Sequence, residues 1–536
     1  MEHPLAKTPR VSSPASNSGH SPASSCDDFM SRSAASFVFV EESVLSRHAT
    51  VIHEDVLPID LIPGESKQAL LLNVFDKNAS QENCGLLLVT NYRMVKISTD
   101  NSMIEIPLAS ILDLKSSFSG KNLALDIKTK DCRFFQFQCR QIISPQTVIK
   151  LLSELIYRNL FGLDRNKIVF QTDCFWSLQA EFDRMVNFEK QLQLSLLNSD
   201  YQLCSTYPKE LIFPSNVSDT TLMGAAKFRD KGRLPVFSWT KNGFGTIFRS
   251  AQPKSSLLNR SLADEDLMKA MEVECIIDCR PMLNAYANIA NGAGVESLGN
   301  YHSGIELWFG AIPNIHHVRD SWEKMFLLSQ QLPTSNWFTA MDQTGWYDHI
   351  SLVLRSSAML VTRIFFDKKN VLCRCSHGLD RTPQVVSLGM LALDSHYRTI
   401  KGLAILIEKE WVRMGHRFVS RFALGTSPTD EMSPIFFQFL EALYQVMLQY
   451  PETFEFTSEY LVLILQAVVS GRFETFMFDC EAEKKTAESP WPIIWKHDGI
   501  LNKSYRENHD CLIINPHVSQ MKVFSNIWLS THRKML

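Results

Sequence analysis

The stretch 373–382 reads "CRCSHGLDRT". It is preceded by "FDKKNV", a polar turn, and entered through the apolar "VLC" of a short strand. It is followed by "PQVVSLGMLALDS", where Val385, Leu388, Met390 and Leu393 recur at helical spacing and read as core. A strand, a loop and a helix in that order turn successive backbone N–H groups toward one point. The helix N-terminus adds partial positive charge there, so phosphate binds such a place readily. Pro383 suits the first helical turn and Thr382 suits the cap.

Within the loop, Cys375 and Arg381 stand in a C-x5-R spacing. A thiol at the loop's start feels the same positive field, so its pKa falls below the free value of about 8.5 and a thiolate forms near neutral pH. Arg381 can make two parallel hydrogen bonds to phosphate oxygens. Gly378 lets the backbone turn closely around an anion. Thr382 can hydrogen-bond the sulfur, and Asp380 can protonate a departing alkoxide. The reaction so assembled is a double displacement: phosphoryl passes to Cys375, the alcohol leaves, and water takes the phosphoryl from the cysteine. A C-x5-R spacing alone is common by chance. The glycine, the Thr-Pro pair and the flanking strand and helix carry the reading.

Outward from the loop, residues 175–536 alternate strand-like and helical runs. "ECIIDCRP" (274–281) reads as a buried strand ending at a turn, and "IKGLAILIEKEWVRMG" as a helix. Alternation of this kind predicts an α/β domain with a central sheet flanked by helices. Residues 37–165 differ: "CGLLLVTNYRMVKIS", "SMIEIPLASILDLKSS" and "NLALDIKTKDCRFFQFQC" are short β-rich runs separated by polar turns. They predict a small antiparallel sheet or barrel. "SPQTVIKLLSELIYRNLFG" (144–162) closes it with a helix whose apolar face is Val148, Leu151, Leu152, Leu155 and Ile156. Residues 1–36, rich in Ser, Pro and Ala, cannot bury enough surface to offset their ordering entropy and read as a disordered tail.

The chain has 536 residues, 45% hydrophobic and 21% charged, with net charge −3. That size calls for two or three domains. Near-neutral charge speaks against bulk electrostatic binding to nucleic acid. The N-terminus has no apolar segment of a signal peptide, and the run "YLVLILQAVV" (460–469) is far short of the roughly 20 residues of a spanning helix, so a membrane role is expected to be peripheral. Twelve scattered cysteines without paired spacings suit reduced, intracellular thiols. No zinc-type ligand set and no nucleotide-binding glycine motif stands out, and the adjacent His316 and His317 point different ways along a chain, so no metal is expected.

The loop Cys375-Ser376-His377-Gly378-Leu379-Asp380-Arg381-Thr382 resembles the C-S-D-G-W-D-R-T loop of the myotubularin family of phosphoinositide 3-phosphatases. The blocks "RLPVFSW" (233–239), "CRPMLNAYANIANGAGVES" (279–297), "PNIHHVRDS" (313–321), "LDSHYRTIKGLAILIEKEWVRMGHRF" (393–418) and "SPIFFQFLEALYQVMLQYPETFEF" (433–456) are similar to family blocks in the same order. "LVTNYRMV" is similar to the core of the family's PH-GRAM module, a lipid- or protein-binding domain. The resemblance implies a PH-GRAM-like β-barrel with a helix, then a cysteine-phosphatase-type domain. It implies removal of the 3-phosphate from phosphatidylinositol 3-phosphate and phosphatidylinositol 3,5-bisphosphate without a metal or cofactor. It makes Cys375 the nucleophile, Arg381 the clamp and Asp380 the acid, with Ser376, His377, Gly378, Leu379 and Thr382 around the phosphate. Arg417 and Arg421 match the pair expected to hold the 5-phosphate; Asn288 and Asn314 match asparagines near the inositol pocket. The implied partners are phosphoinositides on endosomal membranes, reached from the cytoplasm, and a homo- or hetero-oligomer with other myotubularins. No heptads are present near the C-terminus, so pairing through a coiled coil there is not expected.

Three positions depart from the family pattern. Arg374 stands where the family usually has His, His377 replaces Asp and Leu379 replaces Trp. Two other readings therefore stand beside the enzyme. One is a catalytically impaired adaptor that binds lipid or regulates active relatives. The other is a phosphotyrosine phosphatase, against which the Arg417/Arg421 pair and the PH-GRAM-like module speak.

Overall fold

The computed structural model describes residues 59–62, 64–77, 84–157, 175–186, 191–255, 260–287, 294–331, 334–484 and 489–529. The tail expected at 1–36 and the site candidate Asn288 lie outside them.

Seven strands form the first sheet: β1 (Lys67–Asp76), β2 (Cys84–Thr90), β3 (Arg93–Ser98), β4 (Met103–Pro107), β5 (Ile111–Ser119), β6 (Asn122–Thr129) and β7 (Phe134–Cys139). Their order is β4-β3-β2-β1-β7-β6-β5, with antiparallel pairing throughout. "CGLLLVTNYRMVKIS" is thus a hairpin, turned at Asn91-Tyr92. β4 and β5 lie at opposite ends of this order, yet only Leu108–Ser110 join them. In a flat sheet those edges stand roughly 29 Å apart. Three residues cannot bridge that, so the sheet curls until its edges approach. Alternation aims Leu123, Leu125 and Ile127 of β6 inward. There they meet Val148, Leu152 and Ile156 of the helix Pro145–Tyr157. A hydrophobic stripe at helical spacing thus covers one open face of the curled sheet.

The rest of the described chain is α/β. A two-stranded ribbon, β8 (Leu192–Ser195) and β9 (Leu211–Pro214), precedes a five-stranded sheet. That sheet contains β10 (Val236–Thr240), β11 (Thr246–Ser250), β12 (Val273–Asp278), β13 (Glu306–Phe309) and β14 (Asn370–Arg374) in the order β10-β11-β14-β12-β13. β11, β14, β12 and β13 run parallel, and only β10 is antiparallel, to β11. β14, buried on both sides, is the centre. Its C-terminal end opens into the loop 375–380, and the helix Arg381–Leu393 carries the chain away. Ligands of parallel sheets gather at the carboxyl ends of the strands, so the sheet order puts the loop at its most enclosed point. The helix Trp346–Val361, extended by a wide turn to Phe366, is long and apolar enough to cross a membrane, but here it packs in the core.

Thr382 does not cap the loop helix as expected. The helix begins two residues earlier than a Thr382 cap would place it, at Arg381, after Asp380, whose side chain makes no cap bond. That carboxylate is taken by another partner, described below, and Thr382 is free to serve the cysteine.

Candidate active site

Cys375 is buried at the start of the loop, with the Gly378 N–H donating to its Sγ at 3.2 Å. Burial pushes the thiol up, but the Arg381 charge and hydrogen bonds from Thr382 outweigh it and hold the thiol below its ordinary value. Among the described residues the buried Thr382 hydroxyl has no well-formed hydrogen bond, so it is free to turn to the sulfur. Arg381 is half-buried. Its guanidinium donates to Ser376 Oγ at 3.1 Å and to the Ile312 carbonyl at 3.3 Å. Both are neutral acceptors, and an anion can displace them.

The backbone of the loop is tied from behind. Gly378 has φ +69°, and a Cβ there would come within 2.6 Å of the Ser250 carbonyl oxygen. Glycine is therefore required twice, by conformation and by space. Its carbonyl accepts from Arg249 at 2.8 Å and from Arg233 at 3.2 Å, both buried. The Ser376 carbonyl accepts from the Gln252 N–H at 2.9 Å. With these carbonyls held on the sheet side, the loop's N–H groups are left to face the cysteine and an incoming anion. Arg233, Arg249 and Gln252 were not singled out in the sequence. "RLPVFSW" begins with one of them, but nothing local marks it as a loop support.

On the far side lies a second set of charges. Arg421, in the helix Phe418–Phe422, holds the Asp380 carboxylate through two bonds of 2.8 and 2.9 Å. Against the upward pull of burial, Arg421, His416 and Arg381 keep Asp380 well below the usual carboxylate range. Burial pushes His416 down to about 4, so the ring is neutral near pH 7, and its Nδ1 lies 2.8 Å from the Leu379 carbonyl. That oxygen is an acceptor, so Nδ1 carries the proton. Arg417, just before this helix, and Arg421, within it, converge. They meet on Glu431, at 2.9 and 2.8 Å, and Arg417 also reaches Asp479 at 3.3 Å. Arg417 remains partly exposed and Arg421 does not.

The three unusual loop positions go to different places. Arg374 is fully buried and points away from the thiol. It donates to Glu296 at 2.9 Å and to Asp278 at 2.8 Å. Glu296 also binds Arg229, Arg229 binds Asp264, and Asp278 binds Arg280. All six side chains are buried, and three cations face three anions. Arg374 would stand in for the family's His beside the thiolate only if it pointed inward; its charge is instead consumed in this network. His377 is 42% exposed and its Nε2 lies 3.2 Å from Asp230. Burial opposes it, but the His377 contact lowers the Asp230 pKa. Leu379 is 1% exposed, so its side chain packs inside the loop and offers no face to solvent. Asn314 caps the helix Ile315–Ser329, its Oδ1 accepting from the N–H groups of His316 and His317. That is the plain structural role of an asparagine before a helix, two residues from the Ile312 carbonyl that meets Arg381.

A family model described as the myotubularin-like phosphatase domain matches residues 156–485. The mouse protein named phosphatidylinositol-3,5-bisphosphate 3-phosphatase MTMR6 is 34% identical over 458 residues, which are 80% of this chain and 73% of that protein. Myotubularin of Xenopus laevis is 32% identical over 476 residues, 83% of this chain and 78% of that protein. Human phosphatidylinositol-3-phosphate phosphatase MTMR7 is 33% identical over 404 residues, 70% of this chain and 61% of that protein.

Proposed function

The chain belongs to the myotubularin-like phosphatase family, and from that premise we propose that it is a cysteine-dependent phosphoinositide 3-phosphatase. The observation that carries this reading is the Cys375 loop. Its buried thiol is held below its ordinary pKa beside Arg381, on a backbone braced by Arg233 and Arg249. The substrates are phosphatidylinositol 3-phosphate and phosphatidylinositol 3,5-bisphosphate, as the names of the relatives support.

The reaction runs in two displacements. The thiolate attacks the 3-phosphate, Arg381 exchanges Ser376 and the Ile312 carbonyl for two phosphate oxygens, and the inositol oxygen departs with a proton. Water then attacks the phosphocysteine. Asp380 serves both steps as acid, then base. Held ionised by Arg421, it is ready for the second step. For the first it must take up a proton, which requires Arg421 to loosen its grip. Arg417 and Arg421 already share one carboxylate, Glu431, and a 5-phosphate presents them with an anion of the same sign and greater charge.

Residues 37–165 act as a PH-GRAM-like module. The curled seven-stranded sheet closed by one helix supports this. The enzyme works from the cytoplasm on endosomal membranes, with other myotubularins as partners in an oligomer. An adaptor without turnover is the outcome if Asp380 never regains a proton. Phosphate release from short-chain phosphatidylinositol 3-phosphate by wild type and Cys375→Ser tests the function. Release by wild type alone is expected. Equal background release from both folded proteins would leave the adaptor.

A further inference from the structure

A lysine of the N-terminal sheet reaches the catalytic domain. Lys130 follows β6, at the tip of the hairpin to β7, and is 4% exposed. Its Nζ donates to the Ala109 carbonyl at 2.6 Å and to the Ala423 carbonyl, 293 residues away, at 3.1 Å. It makes no ion pair among the described residues, and burial pushes its amine down to about 7. A long cationic side chain buried on two backbone carbonyls is costly unless the contact is needed. The hairpin tip is seated around it. Cys132, two residues on, is buried within the core of the catalytic domain, and Gly471 passes so close to Ala109 that a Cβ would come within 2.5 Å of the alanine's own.

Ala423 ends the helix Phe418–Phe422 in a left-handed conformation, φ +47°. Two residues before it stands Arg421, whose guanidinium holds Asp380. The order of contact is thus Lys130, the carbonyl end of the helix, Arg421, Asp380. We propose that Lys130 is a positioning residue for Asp380: it fixes the end of this short helix, and through Arg421 it sets the carboxyl that moves the leaving-group proton. The N-terminal sheet is then part of the proton-transfer apparatus and not only a PH-GRAM-like module. This rests on the phosphatase reading above.

Leaving groups separate this role from mere support. Inositol is a poor leaving group and needs an acid; a fluorogenic aryl phosphate with an acidic phenol does not. In the full chain, Lys130→Met should lower kcat/KM on short-chain phosphatidylinositol 3-phosphate about tenfold and kcat/KM on the aryl ester by no more than about twofold, because kcat/KM reports the first displacement and not the later attack of water that both esters share. The ratio of the two rates does not depend on the fraction of folded protein, so lost stability cannot imitate the effect. Lys130→Arg, which restores donors, should return most of the ratio. In an Asp380→Asn background, Lys130→Met should change the ratio no further. A ratio unmoved by Lys130→Met, or an undiminished effect in Asp380→Asn, would overturn the inference. Wild type that turns over neither ester would instead overturn the phosphatase reading.

Discussion

Two clusters of arginine flank the Cys375 loop, and they are built differently. At the root, Arg229, Arg280 and Arg374 are matched with Asp264, Asp278 and Glu296, all buried. On the far side, Arg417 and Arg421 share Glu431, extend to Asp380 and Asp479, and leave one guanidinium partly in solvent. The first cluster is closed: no partner can leave without stranding a buried charge. The second is open, and its acceptors are ones a phosphate can replace. The same residue type thus shapes the loop on one side and remains exchangeable on the other.

The largest expected effect breaks the closed side. Glu296→Gln leaves Arg374 and Arg229 short of charge and should destabilise the protein by about 3–5 kcal/mol, read by denaturant unfolding. Burial works against it, but Arg374 and Arg229 hold Glu296 down to about 2. A depressed carboxylate stabilises fully above its unfolded value of about 4.3 and loses this as pH falls toward the folded one. The gap between wild type and Glu296→Gln should therefore shrink from about pH 4.3 downward, by on the order of 3 kcal/mol.

On the open side the expected change is in chemistry. Arg421→Gln frees Asp380 to titrate in an ordinary carboxylate range, so the alkaline limb of the kcat profile should move up by about one pH unit or more. An unmoved limb would show that Asp380 is not the acid. Within the loop, Thr382→Ala removes a stabilising bond to the thiolate. Alkylation of Cys375 by iodoacetamide at pH 6 should slow by about three- to tenfold. The smallest effect is at the rim. His377→Asp sets a carboxylate against Asp230; KM should rise about threefold or less, and stability should change by less than about 1 kcal/mol. Adding Asp230→Asn should reverse the KM change.

Local pattern revealed what local sequence determines. The strand Asn370–Arg374, the helix after the loop and the helix Pro145–Tyr157 follow from periodicity. Thr382 reads as a cap from its place before Pro383, but the helix starts at Arg381, which puts Thr382 inside the first turn and Asp380, its side chain held by Arg421, at the cap position. The supports were hidden because their partners are distant. Glu296 precedes Arg374 by 78 residues, and Arg249 meets Gly378 across 129. Such pairs leave no period in a single sequence. Lys130, in "KTKDCRF", carries no local mark of burial, and one of the carbonyls that hold it, that of Ala423, lies 293 residues away. The open seven-strand order likewise emerges only when pairing is known, since β4 and β5 are neighbours in sequence and opposite edges in the sheet.

The central claim is that Cys375 carries the phosphoryl group. Rapid denaturing quench after mixing with short-chain phosphatidylinositol 3-phosphate, followed by peptide mass spectrometry, tests it most directly. Phosphate on Cys375 within the first turnover, absent from Cys375→Ser, is the predicted result. Steady release of phosphate by both proteins, with no modification of Cys375, would contradict it.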